Sequence, residues 1–154
     1  MDLITAAQAF HWFKSDEFFL EAGRVLKPGA VLAFWCYELC QICPEVDSVV
    51  LQLYQETLKG YWEPERQLVE EGYRNVSLPF QEISAPAFEM NAAWTLQHLI
   101  EYLSTWSACQ TYQKKNHSIP LGQTFLSELR EAWGGEVTRP VHWKLSLRVG
   151  RRLK

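Results

Sequence analysis

Ala30-Val31-Leu32-Ala33-Phe34-Trp35-Cys36-Tyr37 is an unbroken apolar run of strand length, entered directly from Lys27-Pro28-Gly29. It shows no alternation of polar and apolar residues, so the pattern predicts a strand covered on both faces, in the middle of a sheet. A covered central strand implies an α/β fold.

Working outward, Asp2-Leu3-Ile4-Thr5-Ala6 reads as a short strand and Ala7 to Lys14 as a loop. Ser15-Asp16-Glu17 opens a helix with a hydroxyl cap and acids that suit the positive end of the helix dipole. Phe18, Phe19, Ala22, Val25 and Leu26 share one face of that helix, and Pro28-Gly29 stops it. Strand, helix and strand in this order make a βαβ unit with parallel strands.

Downstream, a helix after Pro44 carries Val46, Val49, Val50, Leu53 and Leu58 and stops at Gly60, and Pro64 to Glu71 makes a shorter one. Glu82 to Met90 reads as a strand that Pro86 demotes to an edge. Leu96, Leu99, Ile100, Leu103 and Trp106 predict one long helix ending near Asn116, and a last helix runs from Pro120 to Trp133. The clearest alternation comes at the end, with Val141, Trp143, Leu145, Leu147 and Val149 on one strand face.

A chain of 154 residues that is 47% hydrophobic and holds seven tryptophans is long and apolar enough for one globular domain over 1–154, and it excludes a disordered linker. The formal charge of −3, with basic residues scattered apart from the Arg151-Arg152-Leu153-Lys154 tail, leaves no footprint for nucleic acid. Met1 to Phe13 lacks a basic start and a cleavage site, and no apolar run is long enough for a membrane span, so the expected location is cytoplasmic.

Cys36, Cys40 and Cys43 stand at the C-x3-C-x2-C spacing by which radical enzymes hold an iron–sulfur cluster. The remaining chain is too short for the barrel such enzymes need, and a zinc site would lack a nearby histidine. Reduced, packing thiols and no metal are expected.

His11, next to Trp12, follows the first strand, and ligands of open α/β sheets bind outside the carboxyl ends of the strands. That makes His11 the candidate catalytic side chain, against the plainer reading of a loop or core histidine. His98, His117 and His142 have no partner at a suggestive spacing, and the chain contains neither a nucleophile elbow nor a G-x-G-x-x-G or phosphate loop.

Asp2 through Phe13, Phe18 to Ala22, and Arg24-Val25-Leu26-Lys27-Pro28-Gly29 with the strand after it resemble the second half of a class I S-adenosylmethionine-dependent methyltransferase. The most similar subgroup, within the methyltransferase type 11 superfamily, is that of the trans-aconitate methyltransferases and their eukaryotic relatives. Leu78-Pro79-Phe80, Tyr102 to Ala108 and the Arg-rich closing strand share in the likeness.

The resemblance implies a partial Rossmann-like sheet of family strands four to seven, with helices on both faces and an antiparallel last strand. It implies that Ala6, Ala7, Gln8, His11 and Trp12 line the methionine and sulfonium end of S-adenosylmethionine, and that Trp62, Thr105, Trp106 and Ser107 meet a small-molecule methyl acceptor such as a carboxylate. The glycine-rich turn and ribose-binding acid of the family's first strands have no counterpart here. The expectation is therefore a truncated domain that binds the cofactor weakly or not at all by itself. The alternative is an inactive fragment that serves as a binding module and self-associates through the Leu3-Ile4-Thr5 edge.

Overall fold

The computed structural model describes residues 1–135 and 137–153. The chain divides into two compact units, one of residues 1–39, 65–90 and 143 onward, the other of residues 40–64 and 91–142.

In the first unit, β1 (Leu3–Ala7) and β2 (Val31–Tyr37) are parallel, in register from Leu3 opposite Val31 to Ala7 opposite Trp35, and α1 (Ser15–Val25) connects them. The mixed sheet runs β1-β2-β5-β3, where β3 is Gln81–Glu82 and β5 is Arg139–Arg151; β4 (Phe88–Trp94) also pairs with β5. β5 is antiparallel to both β2 and β3. The apolar run is thus the interior strand its composition predicts.

Its two faces are not equivalent, however. Leu32, Phe34 and Cys36 are fully buried, whereas Val31, Ala33, Trp35 and Tyr37 are half-buried. The buried face meets Phe19, Ala22 and Leu26 from α1 and its end, and Val69 from α3 (Arg66–Glu70). Both helices of the unit therefore cover the Leu32 face.

Local chemistry explains the departures from the predicted boundaries. Ser15 is the first helical residue of α1 rather than its cap, which is Lys14 in extended backbone with no side-chain cap bond. Gly29 takes φ +81°, and its N–H donates to the Arg152 carbonyl, so the turn into β2 needs a residue without a Cβ. The strand predicted over Glu82 to Met90 splits into β3 and β4 around Pro86, which has no N–H to give a ladder.

The second unit is helical. α2 (Pro44–Gln52) continues into a π-turn (Leu53–Thr57), and α6 (Gln123–Trp133) starts after Gly122 rather than at Pro120. The long helix predicted from Leu96 to Asn116 is two, α4 (Leu96–Ser104) and α5 (Ser107–Asn116). The hydroxyls of Ser104 and Thr105 donate to the carbonyls of Glu101 and Tyr102, closing the first helix, and Trp106 turns to extended backbone. Val46, Val50, Leu53, Leu58, Leu99, Leu103, Leu129 and Trp133 are buried in this unit. Among the described residues, no helix is long and apolar enough to cross a membrane.

Candidate active site

Parallel strands joined by a helix leave their carboxyl ends open, and here those ends lead into Gln8, His11 and Trp12. The chain leaves β1 through Gln8, a non-glycine residue at φ +49°. Its N–H donates to the Trp35 carbonyl at 2.8 Å, while its side-chain Oε1 accepts from the Tyr37 N–H at 2.9 Å. Gln8 therefore holds the ends of β1 and β2 together with both backbone and side chain. Its amide oxygen is already engaged.

A single 3-10 turn, Phe10–Trp12, follows. Phe10 is fully buried, its ring stacked 4.4 Å from Phe34, and it anchors the turn to the core. His11, next in the chain, is 6% exposed, the one polar or charged residue buried among those described. Its Nδ1 lies 2.8 Å from the hydroxyl of Tyr73. Trp12 stands beside the imidazole, with 4.8 Å between ring centroids, and more than half its surface is open.

Burial lowers the His11 pKa, and the positive charge of Arg66 lowers it further, against a smaller opposing effect of Glu65. The imidazole is neutral near pH 7. Burial raises the Tyr73 pKa, so the phenol keeps its proton.

Tyr73 is fully buried yet sits in the left-handed region at φ +57°, a conformation that costs a bulky residue about 1–2 kcal/mol. Arg148 supports it. One guanidinium nitrogen donates to the Tyr73 carbonyl at 2.5 Å and to the carbonyls of Arg74 and Val76, while the other side of the group pairs with both oxygens of Glu82.

Of the residues predicted to line a cofactor, Ala6 is buried, Ala7 is exposed, and Gln8, His11 and Trp12 follow in the strand-end turn. Tyr73, Arg148 and Glu82 were not predicted. No local pattern marks them, since Arg148 and Tyr73 are separated by 75 positions.

In the second unit, three of the four predicted acceptor residues come together. The Trp62 and Trp106 rings are 5.5 Å apart, Tyr54 lies 4.5 Å from Trp62, and the Ser107 hydroxyl donates to Glu63 at 3.0 Å. The Thr111 hydroxyl also donates to Glu63, a residue that no spacing pattern singles out. Thr105 stays exposed, its hydroxyl spent on the end of α4.

Cys36 and Cys40 are buried, and burial pushes each thiol up to about 12, so neither is a thiolate near neutrality. Among the described residues, no group of three or more His, Cys, Asp or Glu side chains is placed to hold a metal ion.

A solved structure from Anaeromyxobacter dehalogenans, assigned as a type II methyltransferase, is similar to 99% of this chain, with a TM-score of 0.88 and 42% identity. The chain has a methyltransferase fold. A Dictyostelium discoideum protein assigned as a methyltransferase is 32% identical over 117 residues, which is 74% of this chain and 44% of the relative. A Saccharomyces cerevisiae protein assigned as an S-adenosylmethionine-dependent methyltransferase is 23% identical over 159 residues, which is 85% of this chain and 55% of the relative. No family model matches. The chain spans about half the length of the two protein relatives and 65% of the solved chain.

Proposed function

We propose that this chain is the C-terminal part of a class I S-adenosylmethionine-dependent methyltransferase of the trans-aconitate type, acting on a small molecule whose acceptor atom is an anionic oxygen such as a carboxylate. One observation carries the reading. The β1-α1-β2 unit brings Ala6, Ala7, Gln8, His11 and Trp12 to the carboxyl ends of two parallel strands, and β5 is antiparallel beside β2, as the family's last strand is.

The residues present fit one end of the cofactor. Ala7 is small and exposed, and Trp12 offers an open aromatic face, which attracts a cation such as a sulfonium. S-adenosylmethionine supplies the reactive methyl group when bound. What this chain contributes is position: Gln8 fixes the turn, and His11 and Arg66 make its surroundings favourable to a negative acceptor. A carboxylate is already ionised near neutrality, so no base is needed to prepare it. Trp62, Trp106, Ser107 and Thr105 are the acceptor-side candidates of the second unit. With no glycine-rich turn to approach the nucleoside, this chain alone binds the cofactor weakly.

A second reading has its own observation. β1 is the outermost strand of the sheet, Leu3 is 57% exposed, and Leu3-Ile4-Thr5 carries no charge or proline to discourage pairing with another edge. In this reading the chain is an inactive module that self-associates.

Backbone amide NMR separates the two. Titration with S-adenosylhomocysteine is expected to move the amides of residues 6–12, without saturation at micromolar concentration, while raising the protein concentration leaves residues 3–5 unchanged. Shifts confined to other residues overturn the first reading. Concentration-dependent broadening at residues 3–5 supports the second.

A further inference from the structure

We propose that Tyr73 is a positioning residue that holds His11 with its ring proton on Nε2, so that the strand ends present a hydrogen-bond donor to an anionic oxygen. The argument is one of donor accounting. The Tyr73 side chain is fully buried, and among the described residues its hydroxyl has two hydrogen-bond partners, both on His11: the ring Nδ1 at 2.8 Å and the backbone N–H, which can only donate.

A hydroxyl carries one proton and two lone pairs, whereas an imidazole nitrogen either donates or accepts. Were Nδ1 protonated, it would donate to the phenol oxygen and leave the phenol proton buried with no acceptor. Burying a donor unpaired costs about 1–3 kcal/mol, while an oxygen that leaves a lone pair unused costs far less. The phenol therefore donates, Nδ1 accepts, and the neutral ring keeps its proton on Nε2.

That second nitrogen is available. Among the described residues Nε2 has no hydrogen-bond partner, and it is not among the buried side-chain nitrogens and oxygens that lack one, so it reaches solvent. The donor is held rigidly. Tyr73 enters the site from a left-handed residue whose carbonyl Arg148 clamps, with Gly72 at φ +58° before it. A Cβ on that glycine would lie 2.5 Å from the Ser146 hydroxyl oxygen and 3.0 Å from the Ser146 Cβ, so a larger residue there requires Ser146 to shift.

His11 is thereby a donor and not a base, which suits an acceptor that arrives already ionised. The inference depends on the methyltransferase reading only for which oxygen Nε2–H meets. The tautomer and its cause belong to this chain alone.

The test uses the whole chain with 15N-labelled histidine. Long-range proton–nitrogen spectra are expected to show the His11 proton on Nε2 and a protected Tyr73 hydroxyl proton close to the His11 ring. A proton on Nδ1 overturns the proposal, whether or not any variant folds.

Tyr73→Phe separates the two directions of the bond. If the phenol donates, its loss deprives the neutral ring of a partner and the His11 titration midpoint moves up, with Arg66 and Glu65 unchanged. If the ring donates, the midpoint moves down, and the proposal fails. Acetate in large excess is expected to shift the Nε2–H resonance downfield while acetamide does not; equal response to both removes the anionic oxygen from the proposal. Neither spectrum involves the cofactor, so a chain that passes here but whose S-adenosylhomocysteine shifts are confined to residues outside 6–12 overturns the methyltransferase reading and leaves the tautomer standing.

Discussion

Phe10→Ala is expected to destabilise the protein by about 3–5 kcal/mol, the range for removing a buried aromatic ring. The ring is fully buried and meets Phe13, Phe18, Phe19, Phe34 and Tyr73, with centroids 6.4, 5.6, 5.5, 4.4 and 5.3 Å away. Alanine leaves these neighbours facing a void that α1, β2 and the Tyr73 segment cannot all close at once. Stability of this order is a large part of what a small domain has. Urea unfolding is expected to show a midpoint shifted far down, or no cooperative transition at all. Phe10→Leu, which keeps most of the volume, is expected to lose much less. If alanine proves nearly neutral, Phe10 is not the anchor that seats His11.

Arg148→Met is expected to cost about 1–3 kcal/mol, mainly by leaving the Tyr73 carbonyl without its charged donor. The Arg148 side chain is 14% exposed and Glu82 is 52% exposed, so the ion pair contributes little by itself. What matters is the fork: one guanidinium group binds three carbonyls and a carboxylate together. Lysine keeps the charge but not the planar array of donors, so Arg148→Lys is expected to recover only a minor part of the loss. Urea midpoints of the two variants decide this. Equal stability of lysine variant and wild type contradicts the role given to the fork.

How far the sequence disclosed this protein depends on the range of the interactions involved. The β1-α1-β2 unit is legible because its signals are local: a continuous apolar strand, one helix face and Pro28-Gly29 between them. The placement of His11 at the strand ends follows from that unit and from nothing else. The break between α4 and α5 was hidden because the apolar spacing of Leu96, Leu99, Ile100 and Leu103 extends to Trp106, at the break itself, while the hydroxyls of Ser104 and Thr105 that end the helix look like ordinary surface residues. Half-burial of the Trp35 face of β2 was equally hidden, since an apolar run records composition and not which face is covered.

The site was half visible. Its histidine, alanines and glutamine lie in one stretch of chain, but Tyr73 lies beyond the short helix read from Pro64 to Glu71, with no local pattern to mark it, and its support comes from β5. Glu63 likewise drew no notice, although it accepts from two hydroxyls of α5. Such groups carry no signature in spacing. They become functional candidates only when the fold supplies their neighbours.

The central claim is that the turn after β1 faces the reactive end of the methyl donor. It is tested most directly by ultraviolet labelling with methyl-labelled S-adenosylmethionine at saturating concentration, followed by tryptic mapping. Label is expected in the peptide Met1 to Lys14, which holds Ala6 through Trp12. Label confined to other peptides, or no more in this one than in heat-unfolded protein, contradicts the account.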